Sequence, residues 1–354
     1  MSTKKKQIRL GISCGDINGI GMEVILKSLQ DSRITQDLTT ILYTSPKIIS
    51  YYKKALNLPE IPYTRINDAN EAKPGKISVV SPWEEDVAIT PGEENETGGK
   101  YAFLSLEAAV NDLASSKFDV LVTAPINKNN IQSSDFKFPG HTEYLAKFAN
   151  AEDVLMFLVS DGLRVGVVTG HLPLKDVSKS LSKDNIFSKL KIMNQSLIRD
   201  FCINRPKIAV LGLNPHAGDN GLLGEEEKEI IIPAVKKAND EKILAFGPFA
   251  ADGFFGSGAY KNYNAVLAMY HDQGLAPFKS LSFGEGVNYT AGLPIVRTSP
   301  DHGTAYDITG QNIASENSFR SAIYLAIDVY KNRQLHKEFS ASPLLVNERA
   351  RGEN

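Results

Sequence analysis

The chain has 354 residues, 39 basic and 41 acidic side chains and a formal charge of −2, which is enough length for two domains or one large α/β unit. That near-neutral balance excludes a global field for nucleic acid or an anionic membrane, so any anionic ligand needs local cations. Two cysteines, Cys14 and Cys202, exclude a disulfide framework or a cysteine-rich zinc site, and the absence of a signal-peptide or membrane-span pattern points to a reducing, cytoplasmic setting.

Short β-rich runs alternate with amphipathic stretches, the signature of α/β architecture with a largely parallel sheet. In chain order the pattern predicts strands over 7–13, 39–44, 77–81, 119–124, 154–159, 164–169, 207–213, 264–270 and 293–298. Helices are expected over 21–31, 46–57, 98–116, 184–203, 225–238 and 316–333. The acidic, turn-rich stretch 84–99 reads as an exposed loop, and SPLLVNERARGEN at the end as a frayed tail.

The first strand runs into GDINGIG, where Gly15, Gly19 and Gly21 permit close backbone approach. Their spacing is neither the Rossmann dinucleotide fingerprint nor a Walker A loop, so a tight turn explains them as well as ligand binding does. The strand DVLVTA ends in PINK, which puts Asn127 and Lys128 near a carboxyl edge. After Pro139 and Gly140, Thr142 is expected to cap a helix with His141 just outside it; the free N–H groups there suit an anion, and a plain cap explains the residues as well.

Three of the six histidines follow apolar runs: VGVVTGH ends at His171, IAVLGLNPH at His216 and AVLAMYH at His271. If those runs are parallel strands, the rings emerge at one carboxyl edge, where open α/β folds place ligands. A single imidazole there is as well explained by loop hydrogen bonding. Three in one context raise a metal site with an open coordination position. The densest stretch follows, with Asp272, Lys279, Asn288 and Arg297 as candidates for a local cationic pocket, then a polar loop carrying His302, Gly303, Thr304 and Ala305.

Taken together, GDINGIGMEVILK, TAPINK, GHTEYLA, TGHLPL, GLNPHAGDNGLLGEEE, MYHDQGLAPFK and GVNYTAGLPIVRTSPDHGTA resemble the 4-hydroxythreonine-4-phosphate dehydrogenase (PdxA) family of vitamin B6 biosynthesis, over about residues 8–330. GDINGIGME and DHGTAYDITG are also similar to segments of the isocitrate and isopropylmalate dehydrogenase group. The resemblance implies an isocitrate/isopropylmalate dehydrogenase-like α/β fold of two subdomains rather than a Rossmann fold. One would be a cofactor-side unit of residues 1–130 plus 300–354, the other a metal, substrate and dimerisation unit of 131–299.

It further implies metal ligands at His171, His216 and His271, and substrate contacts at His141, Thr142, Lys279, Asn288 and Arg297. NAD or NADP would be held by His302, Gly303, Thr304 and Ala305, with Gly15, Gly19 and Gly21 as weaker candidates. The divalent ion would be zinc, magnesium, manganese or cobalt, and Asp272 or Asp252 would serve as general base beside Lys279. The implied assembly is a homodimer with each site at the interface, acting on a phosphorylated small molecule, with no nucleic acid and no membrane. Rival readings are an erythronate or threonate 4-phosphate dehydrogenase of the same family and, from another class, a three-histidine metallohydrolase.

Overall fold

Twelve β-strands join into one sheet in the computed structural model, which describes residues 7–341; the expected frayed tail, 342–354, lies outside the described residues. In chain order they are β1 (Ile8–Ser13), β2 (Leu38–Tyr43), β3 (Tyr63–Ile66), β4 (Ile77–Val80), β5 (Val120–Thr123) and β6 (Leu155–Ser160). Then come β7 (Leu163–Thr169), β8 (Lys207–Leu211), β9 (Leu244–Phe249), β10 (Ala265–Tyr270), β11 (Val287–Ala291) and β12 (Arg297–Pro300). Their spatial order is β3-β4-β2-β1-β5-β12-β11-β6-β7-β10-β8-β9.

Neighbours are parallel except at β12–β11, β11–β6 and β6–β7, so the largely parallel α/β sheet expected from the sequence is present. The antiparallel centre reverses direction, and the strands from β7 to β9 run opposite to those from β3 to β12. Helices cover both faces. Those over Gly21–Leu29, Lys183–Arg199 and Asn317–Ala341 bury Val24, Leu190 and Ile323 in one cluster, and the helix Glu96–Ala114 buries Leu106 and Val110 in another. None of the helices among the described residues is long and apolar enough to cross a membrane.

Three strands escape the sequence pattern: β3 is short with two exposed residues, β9 contains Gly247 and Pro248, and β11 follows a glycine-rich turn. The expected strand 293–298 forms instead at Arg297–Pro300, because only there does the chain reach β5 and β11 in register. The helix His141–Phe148 starts earlier than expected: its N-cap is Gly140 rather than Thr142, so His141 and Thr142 both lie in its first turn. A second, His271–Ser282, was hidden by Gly274 and Pro277 inside it. Gly274 is what lets that helix lie on the sheet: a Cβ there would come 2.9 Å from Val165 and 3.1 Å from Ala268.

Candidate active site

Side chains alternate across a strand, and one face of the antiparallel centre forms the floor of a cleft of about 270 Å³. β6 contributes Met156 and Leu158, β11 contributes Asn288, and β12 contributes Arg297 and Ser299. The register makes these neighbours: Asn288 pairs with Leu158 on one side and with Ser299 on the other.

The walls come from element ends. After β5, Ala124 to Lys128 supply one side, and after β12 the loop Asp301–Gly303 supplies another. Gly140, His141, Thr142 and Glu143 bring the first turn of the helix His141–Phe148, whose N-cap Gly140 offers no side-chain acceptor. That leaves first-turn N–H groups available to an anion. His171 stands just past β7, and His271, Leu275 and Lys279 line the cleft at helical spacings of four.

Charge in the cleft is unbalanced. Arg297 is 2 % exposed and has no carboxylate partner among the described residues; its guanidinium donates to Thr123 Oγ1 at 2.7 and 3.1 Å and to Thr290 Oγ1 at 3.3 Å. Burial pushes its pKa down to about 9, opposed by the charge of Glu143. Among the described residues Lys279 donates only to the backbone oxygen of Asp301, at 3.0 Å. His141 is held well below its ordinary pKa by burial and by the charges of Arg297 and Lys128, so its ring is a neutral hydrogen-bonding group.

Polar atoms point the same way. Among the described residues, His141 Nε2, Asn288 Oδ1 and His302 Nε2 are all buried without a hydrogen-bond partner, and all three residues line this cleft. Orphaned buried polar atoms are rare and costly, so several in one cavity mark a place where a ligand completes the network.

The five expected substrate positions, His141, Thr142, Lys279, Asn288 and Arg297, therefore gather in one cleft, together with His171, His271, His302 and Gly303. His216 does not join them. It lines a neighbouring cavity of about 540 Å³ with Asp252, Asp272 and Tyr270, and among the described residues no three His, Cys, Asp or Glu side chains converge on one point. The convergence of three imidazoles at one strand edge is thus absent within a single chain. β7, β10 and β8 are adjacent and parallel as expected, but the chain after β8 turns away before it reaches His216.

That turn is unusual. His216, Ala217, Gly218, Asp219 and Asn220 all have positive φ, between 41 and 80°, a left-handed turn that L-residues adopt at a cost of about 1–2 kcal/mol each. Buried Glu227 fastens it, accepting from the backbone N–H groups of Leu213 at 2.7 Å and Asn214 at 2.8 Å. Strain held by such a clamp keeps His216 exposed at the cavity rim.

The donor set fits a divalent ion in part. His171 and His271 have ring centres 5.8 Å apart, a separation that one ion with about 2.0–2.1 Å metal–nitrogen bonds can span. Asp272 Oδ1 lies 2.7 Å from His271 Nδ1, which fixes the tautomer and leaves Nε2 free to coordinate. The helix spacing that turns His271 into the cleft turns Asp272 outward, where its side chain is 84 % exposed. Neither Asp272 nor Asp252, the expected bases, lines the cleft itself.

The glycine turn packs instead of opening. Gly15, at φ +68°, leaves no room for a Cβ beside the Pro125 oxygen, and a Cβ on Gly19 would lie 2.9 Å from the Thr304 oxygen. All of Gly15, Gly19 and Gly21 are buried and none lines the cleft. Ile20 N–H donates to that same Thr304 oxygen at 2.9 Å, and the Asp16 carboxylate accepts from Tyr306 Oη at 2.8 Å and Asn130 Nδ2 at 2.7 Å. The turn therefore supports the loop of His302, Gly303, Thr304 and Ala305, of which the first two face the cleft.

One cleft residue was singled out without a role and another escaped the sequence reading. Lys128, expected near a carboxyl edge, donates from its Nζ to His171 Nε2 at 2.8 Å. Though the side chain as a whole is exposed, its ammonium end is desolvated there, which lowers its pKa. Glu143 lay unnoticed inside GHTEYLA; its position two residues after His141, in the first turn of a helix, was the available signal.

Comparison with known proteins covers most of the chain. A 4-hydroxythreonine-4-phosphate dehydrogenase of Bacteroides thetaiotaomicron is 50% identical over 342 residues, covering 96% of this chain and 94% of that protein. The crystal structure of the Klebsiella pneumoniae 4-hydroxythreonine-4-phosphate dehydrogenase superposes with a TM-score of 0.79 at 33% identity, over 93% of this chain and 99% of that one. The corresponding Burkholderia phymatum structure gives 0.74 at 35% identity, over 92% and 99%. Residues 36–326 match the family model described as pyridoxal phosphate biosynthetic protein PdxA, and the chain belongs to the PdxA family.

Proposed function

We propose that this protein is an NAD(P)-dependent, divalent-metal-dependent dehydrogenase of vitamin B6 biosynthesis. It oxidises 4-phosphooxy-L-threonine at C3 to 2-amino-3-oxo-4-phosphooxybutanoate, which loses carbon dioxide to give 3-amino-2-oxopropyl phosphate. The observation that carries this reading is Arg297, a buried guanidinium without a carboxylate partner on the floor of a cleft that also presents Lys279 and a helix N-terminus. Such a site calls for an organic anion with more than one anionic group.

Lys279, Arg297 and the first turn at His141 and Thr142 hold the phosphate and carboxylate ends, and Asn288 Oδ1 and neutral His141 supply directional hydrogen bonds. That grip turns C3 and its hydroxyl toward His171 and His271. His302 and Gly303 present the nicotinamide side, with Thr304 and Ala305 behind them. When bound, a divalent ion at the histidines supplies charge that favours loss of the hydroxyl proton and of carbon dioxide, while NAD or NADP accepts the hydride.

The third imidazole, His216, and the expected bases Asp252 and Asp272 sit around the neighbouring cavity, so the full set needs a second copy of the chain with the site at the interface. On this reading the cofactor-side unit is 1–130 plus 300–354 and the metal, substrate and dimerisation unit is 131–299. Zinc, magnesium, manganese and cobalt all suit the chemistry, and imidazole ligation favours zinc or another late divalent metal. A cytoplasmic location accords with the substrate and with the reduced state expected of the cysteines.

The test is turnover by metal-reconstituted protein with NAD or NADP on a panel of 4-phosphorylated hydroxy acids, following reduced-cofactor absorbance and released carbon dioxide. Reduction and carbon dioxide release with 4-phosphooxy-L-threonine support the assignment. Turnover of erythronate or threonate 4-phosphate alone transfers it to that relative, and phosphoester hydrolysis without cofactor reduction to a metallohydrolase. His216→Ala abolishes turnover with little change in thermal stability; retained activity would remove His216 from the metal site.

A further inference from the structure

Two acidic side chains line the cleft, and only one is available to a ligand. Asp301 is turned away: Ser318 Oγ lies 3.4 Å from its Oδ1, and its Oδ2 packs against Gly286 so closely that a Cβ there has no room. Glu143 is different. It makes no ion pair with a lysine or arginine among the described residues, and Lys128 and Arg297 act on it only at longer range; His171 Nδ1 lies 3.9 Å away, beyond hydrogen-bond reach. Its Oε2 is buried without a hydrogen-bond partner, and Gly140 leaves space beside it, since a Cβ there would meet Glu143 Oε2 only at 3.6 Å and Lys128 Cε at 3.8 Å.

This carboxylate stands in the first turn of the helix whose N-terminus faces the anion-binding floor. There it opposes a ligand that is only anionic, because like charges at close range in a partly dehydrated cleft cost binding energy. A ligand that carries a cation next to one of its anionic groups turns that repulsion into attraction. An ammonium on the carbon beside a carboxylate has this pattern: the carboxylate meets Arg297 or Lys279, and the ammonium meets Glu143.

We propose that Glu143 is a specificity residue that accepts the α-ammonium of an amino-acid substrate and so selects a 2-amino acid phosphate over its 2-hydroxy counterpart. The inference rests on the proposed function and deepens it, because the two dehydrogenase readings differ in this one substituent. The rejection of the hydroxy acid has two parts: it brings no charge to pair with Glu143, and it leaves the carboxylate desolvated beside additional negative charge.

The test compares metal-loaded wild type and Glu143→Gln on 4-phosphooxy-L-threonine and on erythronate 4-phosphate. Turnover and calorimetric Kd are measured for each, with metal content and thermal unfolding recorded for both proteins. Glu143→Gln weakens binding of the amino substrate by about 10- to 100-fold, mainly through KM, and leaves binding of the hydroxy acid unchanged or tighter. Glu143→Asp recovers part of the loss.

An equal change for both ligands, or a loss that follows metal content, would overturn the proposal and leave Glu143 as a positioning residue for His171. Wild type that binds the amino substrate without oxidising it refutes the function instead, while the Kd ratio still decides the role of Glu143. Wild type that binds neither ligand refutes both.

Discussion

Lys128 Nζ lies 2.8 Å from His171 Nε2 and donates to the nitrogen lone pair that an ion held by His171 would need. The two cannot share it, so on the proposed metal assignment an ion would displace Lys128 from His171. Lys128→Met is therefore expected to bind zinc about tenfold more tightly than wild type in a chelator competition, the size of one hydrogen bond to a charged group. The same variant loses about 100-fold in kcat/KM for the phosphorylated substrate. Weaker zinc binding by Lys128→Met would show that the lysine supports His171 rather than competing for it.

The contact between Asp272 and His271 makes a second prediction. With Oδ1 at 2.7 Å from Nδ1, the carboxylate orients the ring and raises the basicity of Nε2. Asp272→Ala is expected to lower metal affinity by about 10- to 100-fold, and Asp272→Asn by less, because its amide oxygen can still accept from Nδ1–H. If Asp272 were instead the general base brought in by a second copy, both variants would keep their metal and lose kcat. Metal content measured beside kcat separates the two roles.

Much of the site is legible in the sequence because its residues sit where motifs end strands or start helices. Pro139 and Gly140 mark the helix start beside His141, although the cap is Gly140 and not the expected Thr142, and His171 and His271 follow apolar runs that do form parallel strands. Legibility fails where tertiary packing decides. The helix His271–Ser282 contains Gly274 and Pro277, which read as breakers, yet Gly274 is required by close contact with Val165. Without that helix, the shared direction of His271, Leu275 and Lys279, and the opposite direction of Asp272, could not be read. GDINGIG reads equally as a cofactor turn or a packed turn until Thr304 is seen against Gly19. The left-handed path of His216 depends on Glu227, eleven positions along the chain, and no local rule links them.

Asp200 makes a prediction about stability. Fully buried, its carboxylate accepts from Arg199 Nε at 2.7 Å, Arg333 Nε at 2.8 Å, Ser196 Oγ at 2.8 Å and Tyr289 Oη at 2.6 Å, joining the helices Lys183–Arg199 and Asn317–Ala341 to β11. Burial alone would raise its pKa, but the hydrogen bonds and charges of Arg199 and Arg333 outweigh it and hold the carboxyl below its ordinary 3.8. A depressed folded pKa contributes stability that is fully present above 3.8 and is lost as pH falls through the lower folded value. Asp200→Asn is expected to cost about 3 kcal/mol at neutral pH by denaturant unfolding, since it leaves Arg333 buried beside a neutral amide. Its stability should also fall less steeply than that of wild type below about pH 4.

Arg297 sets function against stability. Its folded pKa of about 9 lies below the ordinary 12.5, so the charged guanidinium costs the ligand-free fold on the order of a few kcal/mol below pH 9, a cost relieved as pH rises through that value. An anion bound in the cleft relieves the same cost at neutral pH. Arg297→Met, close in length and apolar, is therefore expected to unfold at the same temperature as ligand-free wild type or a higher one, as buried ion-to-apolar replacements often do. Phosphorylated substrate at 100 times its Kd stabilises wild type by about 2.7 kcal/mol through mass action, and the same concentration leaves the variant's Tm unchanged. A ligand-free Tm well below that of wild type would mean that the bonds from Arg297 to Thr123 and Thr290 hold the sheet together, and that the guanidinium is structural rather than reserved for an anion.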